Sequence, residues 1–180
     1  MGKWKTIRVP NAAYFLTCVV AGHTQVFTDK KIVQVVIDNL DFYRSKYGFK
    51  LLGYVIMPDH VHLLILPKGR SDISDVMRDF KEYTSKQVTS HLKEYKRNAI
   101  LSRLKKSATK KVRNPFWAEG NRPVAAYSEK VLKIKLDYIH NNPVKRGLVN
   151  SIEDYPYSSF RNYHFDDDSL IVVDRDWSLP

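Results

Sequence analysis

The sequence predicts a single α+β domain, an antiparallel β-sheet with helices packed on it. Three observations lead there. Short β-rich apolar runs and longer stretches of helical apolar spacing follow one another in the order β-α-β-β-α-loop-α. Two of the β-runs are separated only by turn chemistry, which makes them antiparallel neighbours. At 180 residues, with no internal repeat and no sign of a second domain, the chain is long enough to bury one core.

The elements follow in order. Residues 13–20 are rich in β-formers (Tyr14, Phe15, Thr17, Val19, Val20), and Gly22 breaks the run. Thr28 or Asp29 can cap a helix reaching about Tyr47, because Ile32, Val35, Val36, Leu40, Tyr43 and Tyr47 keep helical spacing and Gly48 supplies the stop. Residues 49–57 and 61–66 form the hairpin around Pro58-Asp59. Ser71 or Asp72 caps a second amphipathic helix whose stripe runs from Ile73 to Tyr95. Residues 97–114 are basic and weakly patterned, and read as a mobile loop. A Gly-Asn-Arg-Pro turn then leads to a third helix, capped by Ser128, which should end by about Asn142 because Pro143 disfavours helical geometry before it.

A 43% hydrophobic, 12% aromatic composition without low-complexity tracts excludes a disordered tail. No apolar run is long enough to cross a membrane, and the basic N-terminal residues have no apolar segment behind them, so no secretory signal is expected. Gly2 and Thr6 fit the loose myristoylation pattern, a match too short to weigh. Cys18 is the single cysteine; it cannot form an internal disulfide, sits in an apolar run as a buried hydrophobe would, and suits a cytoplasmic setting. The net charge of +11 is uneven: residues 78–113 carry +9 and residues 151–180 carry −5. Such a basic surface with eleven tyrosines suits a nucleic-acid partner, and equally a solvated basic protein.

Two constellations can carry chemistry. His60 and His62 alternate at the start of a strand, so both imidazoles share one face and can converge on one metal ion; two ordinary strand histidines fit the same pattern. Tyr138 and Asn142 stand one helical turn apart on one face. Taken alone, Tyr138 also suits core packing beside Val131 and Ile134, and Asn142 suits a helix end before Pro143.

Residues 53–64, Gly-Tyr-Val-Ile-Met-Pro-Asp-His-Val-His-Leu-Leu, resemble the metal-binding signature of the HUH single-tyrosine transposases. Residues 138–149, Tyr-Ile-His-Asn-Asn-Pro-Val-Lys-Arg-Gly-Leu-Val, resemble the catalytic helix of their REP-associated branch, the IS200-like transposase domain. Phe116-Trp117-Ala118-Glu119 and Tyr155-Pro156-Tyr157-Ser158-Ser159-Phe160 resemble that branch too, and the likeness runs in consistent order from about Tyr14 to Tyr163.

The resemblance implies a ferredoxin-like, HUH-type fold and an endonuclease and strand transferase acting on single-stranded or hairpin DNA. It implies His60, His62 and Asn142 as metal ligands and Tyr138 as the nucleophile that forms a 5′-phosphotyrosine link. Two imidazoles and an amide oxygen suit Mg²⁺ or Mn²⁺ and should bind it weakly until DNA adds a charged ligand. No base for Tyr138 is evident, since His140 faces another way, and Asp59 should point away from His60 if strand geometry already holds there. Arg78, Lys81, Lys86, Lys145 and Arg146 are candidate DNA phosphate contacts. No phosphate-binding loop is present, so no nucleotide cofactor is expected. The transposase-like domain should span residues 1–163, with 164–180 an acidic, solvated tail that could instead fold over the basic cleft. The family includes homodimers that share sites. The alternative is a DNA-binding regulator that keeps the fold without the chemistry.

Overall fold

A computed structural model of the chain describes residues 12–69, 72–108, 115–119 and 123–176. Strands β1 (Ala13–Val19), β2 (Lys50–Met57), β3 (His60–Leu66) and β4 (Val124–Ala126) form one sheet in the order β2-β3-β1-β4, with every pairing antiparallel. The helices are α1 (Lys30–Tyr47), α2 (Ile73–Glu94), α3 (Asn98–Lys106), α4 (Glu129–Lys145) and the short α5 (Phe160–His164). The α+β architecture expected from the sequence is the one observed.

Strand alternation divides the core in two. Leu16 and Cys18 on β1, with Val61, Leu63 and Ile65 on β3, face α1 and α2, where Ile32, Val36, Leu40, Phe80 and Val88 complete the larger cluster. Phe15, Val55, Met57 and Leu64 face the other way, against Leu132, Leu136 and Ile139 of α4. His60 and His62 belong to this second face by the same alternation.

Three caps match sequence expectation. The Asp29, Asp72 and Ser128 side chains accept from backbone N–H groups in the first turns of α1, α2 and α4. Gly48 closes α1 in the left-handed conformation at φ 65°.

Other expectations need correction. The predicted loop contains α3. Its apolar residues Ile100, Leu101 and Leu104 pack on the larger core, a short signal that the surrounding lysines and arginines mask. Residues 109–114, most of the Gly-Asn-Arg-Pro turn, Ser71 and the Gly2–Thr6 pattern lie outside the described residues. Strand β4, three residues long, is too short for its periodicity to register.

Helix α4 does not stop at Asn142. It runs through the buried Pro143 to Lys145, and Gly147 at φ 65° follows. A proline removes one hydrogen bond, but so near the helix end its neighbours still close the last turn. Arg146 N–H donates to the Asn142 carbonyl and Leu148 N–H to that of Pro143, both at 3.0 Å.

The acidic segment is docked rather than solvated as far as Asp176. Ile171 and Val173 are buried in the larger core, and Asp174 bonds both backbone groups of Leu51 while pairing with Arg44. Asp166 and Asp168 pair with Arg175, and Asp167 with Arg161. The segment joins the α1/α2 side, across the sheet from His60 and His62. Truncation after Tyr163 would therefore strip core contacts rather than uncover a cleft there.

Candidate active site

The antiparallel register sets Thr17 of β1 directly beside His62 of β3. Its hydroxyl lies 3.0 Å from His62 Nδ1. With that nitrogen engaged, Nε2 is buried without a hydrogen-bond partner among the described residues. A buried polar atom left unmatched costs free energy in an isolated protein, and so calls for an explanation. Burial, with His60 close by, depresses the His62 pKa to about 3, so its imidazole is neutral; in the tautomer whose Nδ1–H donates to Thr17, Nε2 carries the lone pair. His60 is also lowered by burial. The two rings stand 4.8 Å apart at 78°.

Asp59 departs from expectation. It belongs to the turn and not to the strand, so alternation does not govern it, and its carboxylate folds back onto its neighbour. Oδ1 accepts from His60 Nδ1 at 2.6 Å and Oδ2 lies 2.8 Å from His23 Nδ1. Burial works against the Asp59 charge, yet these contacts with His60 and His23 hold its pKa below the usual range. The contact fixes the His60 ring with Nε2 free to coordinate, as carboxylates do behind metal-bound histidines.

From the opposite side α4 brings Tyr138 and Asn142 to the same pocket, about 290 Å³ in volume. Tyr138 is 40% exposed, which overturns core packing as its role; Leu132, Leu136 and Ile139 form the buried stripe instead. Its ring meets His62 edge-on at 5.3 Å and Phe15 at 5.7 Å, while Phe15 stacks on His62 at 5.1 Å. Asn142 is 5% exposed and lines the pocket beside both histidines. His140 points away, as expected. It is buried, its pKa is lowered by that burial to about 4, and it bonds Ser159.

The carboxylate beside the pair, Asp59, is engaged by His60 Nδ1 and His23 Nδ1. Among the described residues no group of three or more His, Cys, Asp or Glu side chains is placed to hold a metal ion, so a metal in this pocket would need the Asn142 amide as well. His60, His62 and the Asn142 amide line this pocket together, a mixed N/O set of a kind that suits a divalent cation.

The proposed DNA contacts divide. Lys145 and Arg146 line the pocket, Lys145 Nζ lying 5.6 Å from the centre of the Tyr138 ring. Arg78, Lys81 and Lys86 do not; they sit on α2 across the sheet, with Arg78 bound to Asp75 and Asp79 and Lys86 to Glu82. Sequence reasoning missed Phe15, Thr17 and His23. The first two share the alternating face of β1 that opposes His62, a signal available once the β1–β3 pairing is known. His23 leaves no such signal: its backbone at φ 49° is set by the tight Ala21–His23 turn.

The architecture is that of a tyrosine transposase. A solved structure of a REP-associated tyrosine transposase bound to a REP hairpin aligns with a TM-score of 0.68, at 21% identity, over 99% of this chain and 96% of that one. The chain belongs to the IS200-like transposase family, whose sequence profile matches residues 8–142. A Haemophilus influenzae protein assigned to the REP-associated tyrosine transposases is 28% identical over 91% of this chain and 86% of its own length. A REP-associated tyrosine transposase of Escherichia coli is 31% identical over 62% of this chain and 54% of its own. The enzyme class is thus transposase, in a family that is generally metal-dependent. Among the described residues no helix is long and apolar enough to cross a membrane.

Proposed function

We propose that this transposase nicks and rejoins single-stranded or hairpin DNA through Tyr138, at a divalent-metal site formed by His60, His62 and Asn142. The observation that carries the reading is the buried, unmatched Nε2 of His62, in a pocket that also holds Asn142 and the Tyr138 ring. Hairpin DNA is proposed as substrate because the structural neighbour was solved with a REP hairpin. The transposase-like domain is proposed to span residues 1–163, with the acidic segment from 164 packed on it as far as Asp176. The proposed setting is cytoplasmic, and assembly into a homodimer is compatible with the family.

The chain's own groups divide the work. His60 and His62 present neutral lone pairs, Asp59 and Thr17 hold the two rings, and Asn142 offers its amide oxygen. Mg²⁺ or Mn²⁺ bound there would polarise the scissile phosphate and offset developing charge. Lys145 and Arg146 hold flanking phosphates at the pocket mouth. The Tyr138 hydroxyl oxygen attacks phosphorus in line, the bond from phosphorus to the 3′-oxygen breaks, and the 3′-oxygen leaves as a hydroxyl. The phenolic proton passes to solvent and the protonated leaving group takes its own from there. The 5′-phosphotyrosine link keeps the phosphodiester energy, so attack by a 3′-OH rejoins DNA without ATP.

The test is covalent capture. With labelled hairpin DNA and Mn²⁺ or Mg²⁺, the wild-type protein should form a denaturant-resistant adduct, and Tyr138→Phe should abolish it. An adduct that survives in Tyr138→Phe places the nucleophile elsewhere. Binding with neither adduct nor cleavage favours a regulator.

A further inference from the structure

Tyr138 and Asn142 ride on α4, whereas His60 and His62 ride on β3. Their alignment therefore depends on where α4 stands against the sheet. His140 lies between the two functional residues in sequence but about half a helical turn away from them, so it faces the segment around Ser159 when they face the pocket.

The surroundings of His140 form a socket. It is 5% exposed, and its Nε2 lies 2.9 Å from Ser159 Oγ, which is itself fully buried. Ser159 is joined to β2 in both directions: Tyr54 N–H donates to its Oγ at 3.0 Å, and its own N–H donates to the Tyr54 carbonyl at 2.9 Å. The segment around it extends the free edge of β2, with Ile56 N–H donating to the Tyr157 carbonyl and the Tyr155 hydroxyl donating to that of Ile56. Phe160 and Tyr163 complete the walls at ring distances of 5.6 and 5.7 Å. The Tyr163 hydroxyl in turn binds the Leu52 carbonyl, at the irregularity in β2 pairing between Leu51 and Gly53.

One turn back along α4 the helix comes so close to β2 that a Cβ on Gly53 would stand 2.6 Å from Leu136 Cδ1. Contact at Gly53 fixes the distance between helix and sheet, but apolar packing alone leaves sliding and rotation soft. The His140–Ser159 hydrogen bond is directional and removes that freedom.

We infer that His140 and Ser159 are positioning residues, a latch that sets the register of α4 so that Tyr138 and Asn142 meet the His60–His62 pair. The inference rests on the proposed site for its catalytic consequence, while the effect on α4 stands apart from it. A misplacement near 1 Å costs about a hundredfold in rate.

Two measurements on full-length Ser159→Ala, His140→Gln and the double variant test the latch. Hydrogen exchange comes first, because it needs no chemistry. Residues 139–146 should lose protection at least tenfold in each variant while β1 and β3 keep theirs. Unchanged protection of α4, or equal loss throughout the sheet, overturns the latch. The second measurement is single-turnover adduct formation with hairpin DNA and Mn²⁺. The rate should fall at least tenfold, with hairpin affinity within about twofold of wild type, the double variant no slower than the worse single one, and Ser159→Cys partly restored. Losses that multiply in the double variant, or that follow hairpin affinity, also overturn it. If wild type itself yields no adduct, the proposed chemistry fails, and the exchange result alone decides the latch.

Discussion

The two faces of the sheet share four strands and differ in what they bury. The α1/α2 side buries mainly apolar side chains from two long helices, and two of its exposed cations, Arg78 and Lys86, are tied to acids on the same helix. The α4 side buries a smaller apolar cluster and then, at one end, three histidines, a threonine contact and an asparagine. Polar groups are expensive to bury. The buried histidines among the described residues all lie on the α4 face, so the proposed chemistry and the larger apolar core occupy opposite sides of the sheet.

The largest way to break this contrast acts on the α1/α2 side. Phe80 is 1% exposed and packs near Trp117 at 6.3 Å. Phe80→Ala should cost about 3–5 kcal/mol of unfolding free energy in a denaturant titration. Adduct formation per folded molecule should stay at the wild-type rate. A rate loss beyond the loss of folded protein would show that the two faces are not independent.

A second prediction concerns His140. Burial holds its folded pKa near 4, below its ordinary 6.5, so between these values the unfolded chain takes a proton that the folded chain refuses. The sign follows: stability from the neutral ring is complete above pH 6.5 and is lost as pH falls toward 4. The total is about 3 kcal/mol at 1.36 kcal/mol per unit. His62, depressed further, steepens the same limb. His140→Gln should flatten the pH 4–6.5 slope of unfolding free energy; an unaltered slope would mean that the ring is not held neutral.

The smallest effect separates the cations. Replacing Lys145 and Arg146 by Gln should lower the salt dependence of hairpin binding by about one unit of slope per charge. The Arg78→Gln, Lys86→Gln pair should leave it unchanged, since both cations lie on α2 and already face carboxylates. An equal fall in both pairs would extend the DNA path around the sheet edge.

Much of the fold was legible because periodicity and caps are local properties. The α1, α2 and α4 starts, the hairpin and the histidine alternation could all be seen within a dozen residues. The same locality explains the failures. Pro143 looked like a stop because only the buried contacts of α4 reveal that the helix can afford it. Asp59 seemed to face away because a turn was treated as strand. Asp174 looked solvated because its partner Arg44 lies far earlier in the chain. As for the site, His60, His62, Tyr138 and Asn142 were singled out by spacing and resemblance, and the fold brings all four to one pocket. Thr17, Phe15 and His23 needed the β1–β3 register or a turn with no sequence signature.

The edge segment that receives His140 also bears on when a nascent chain becomes dangerous. The proposed DNA-cutting centre, assembled from residue 60 and residue 142, cannot exist before both have been made. Because Ser159 docks on β2 only once α4 and the segment after it exist, the proposed latch cannot align α4 until residue 159 has been made. Prematurely terminated products would keep the histidine pair yet lack the aligned tyrosine. On the proposed reading, strand-transfer activity would therefore appear only with the folded chain.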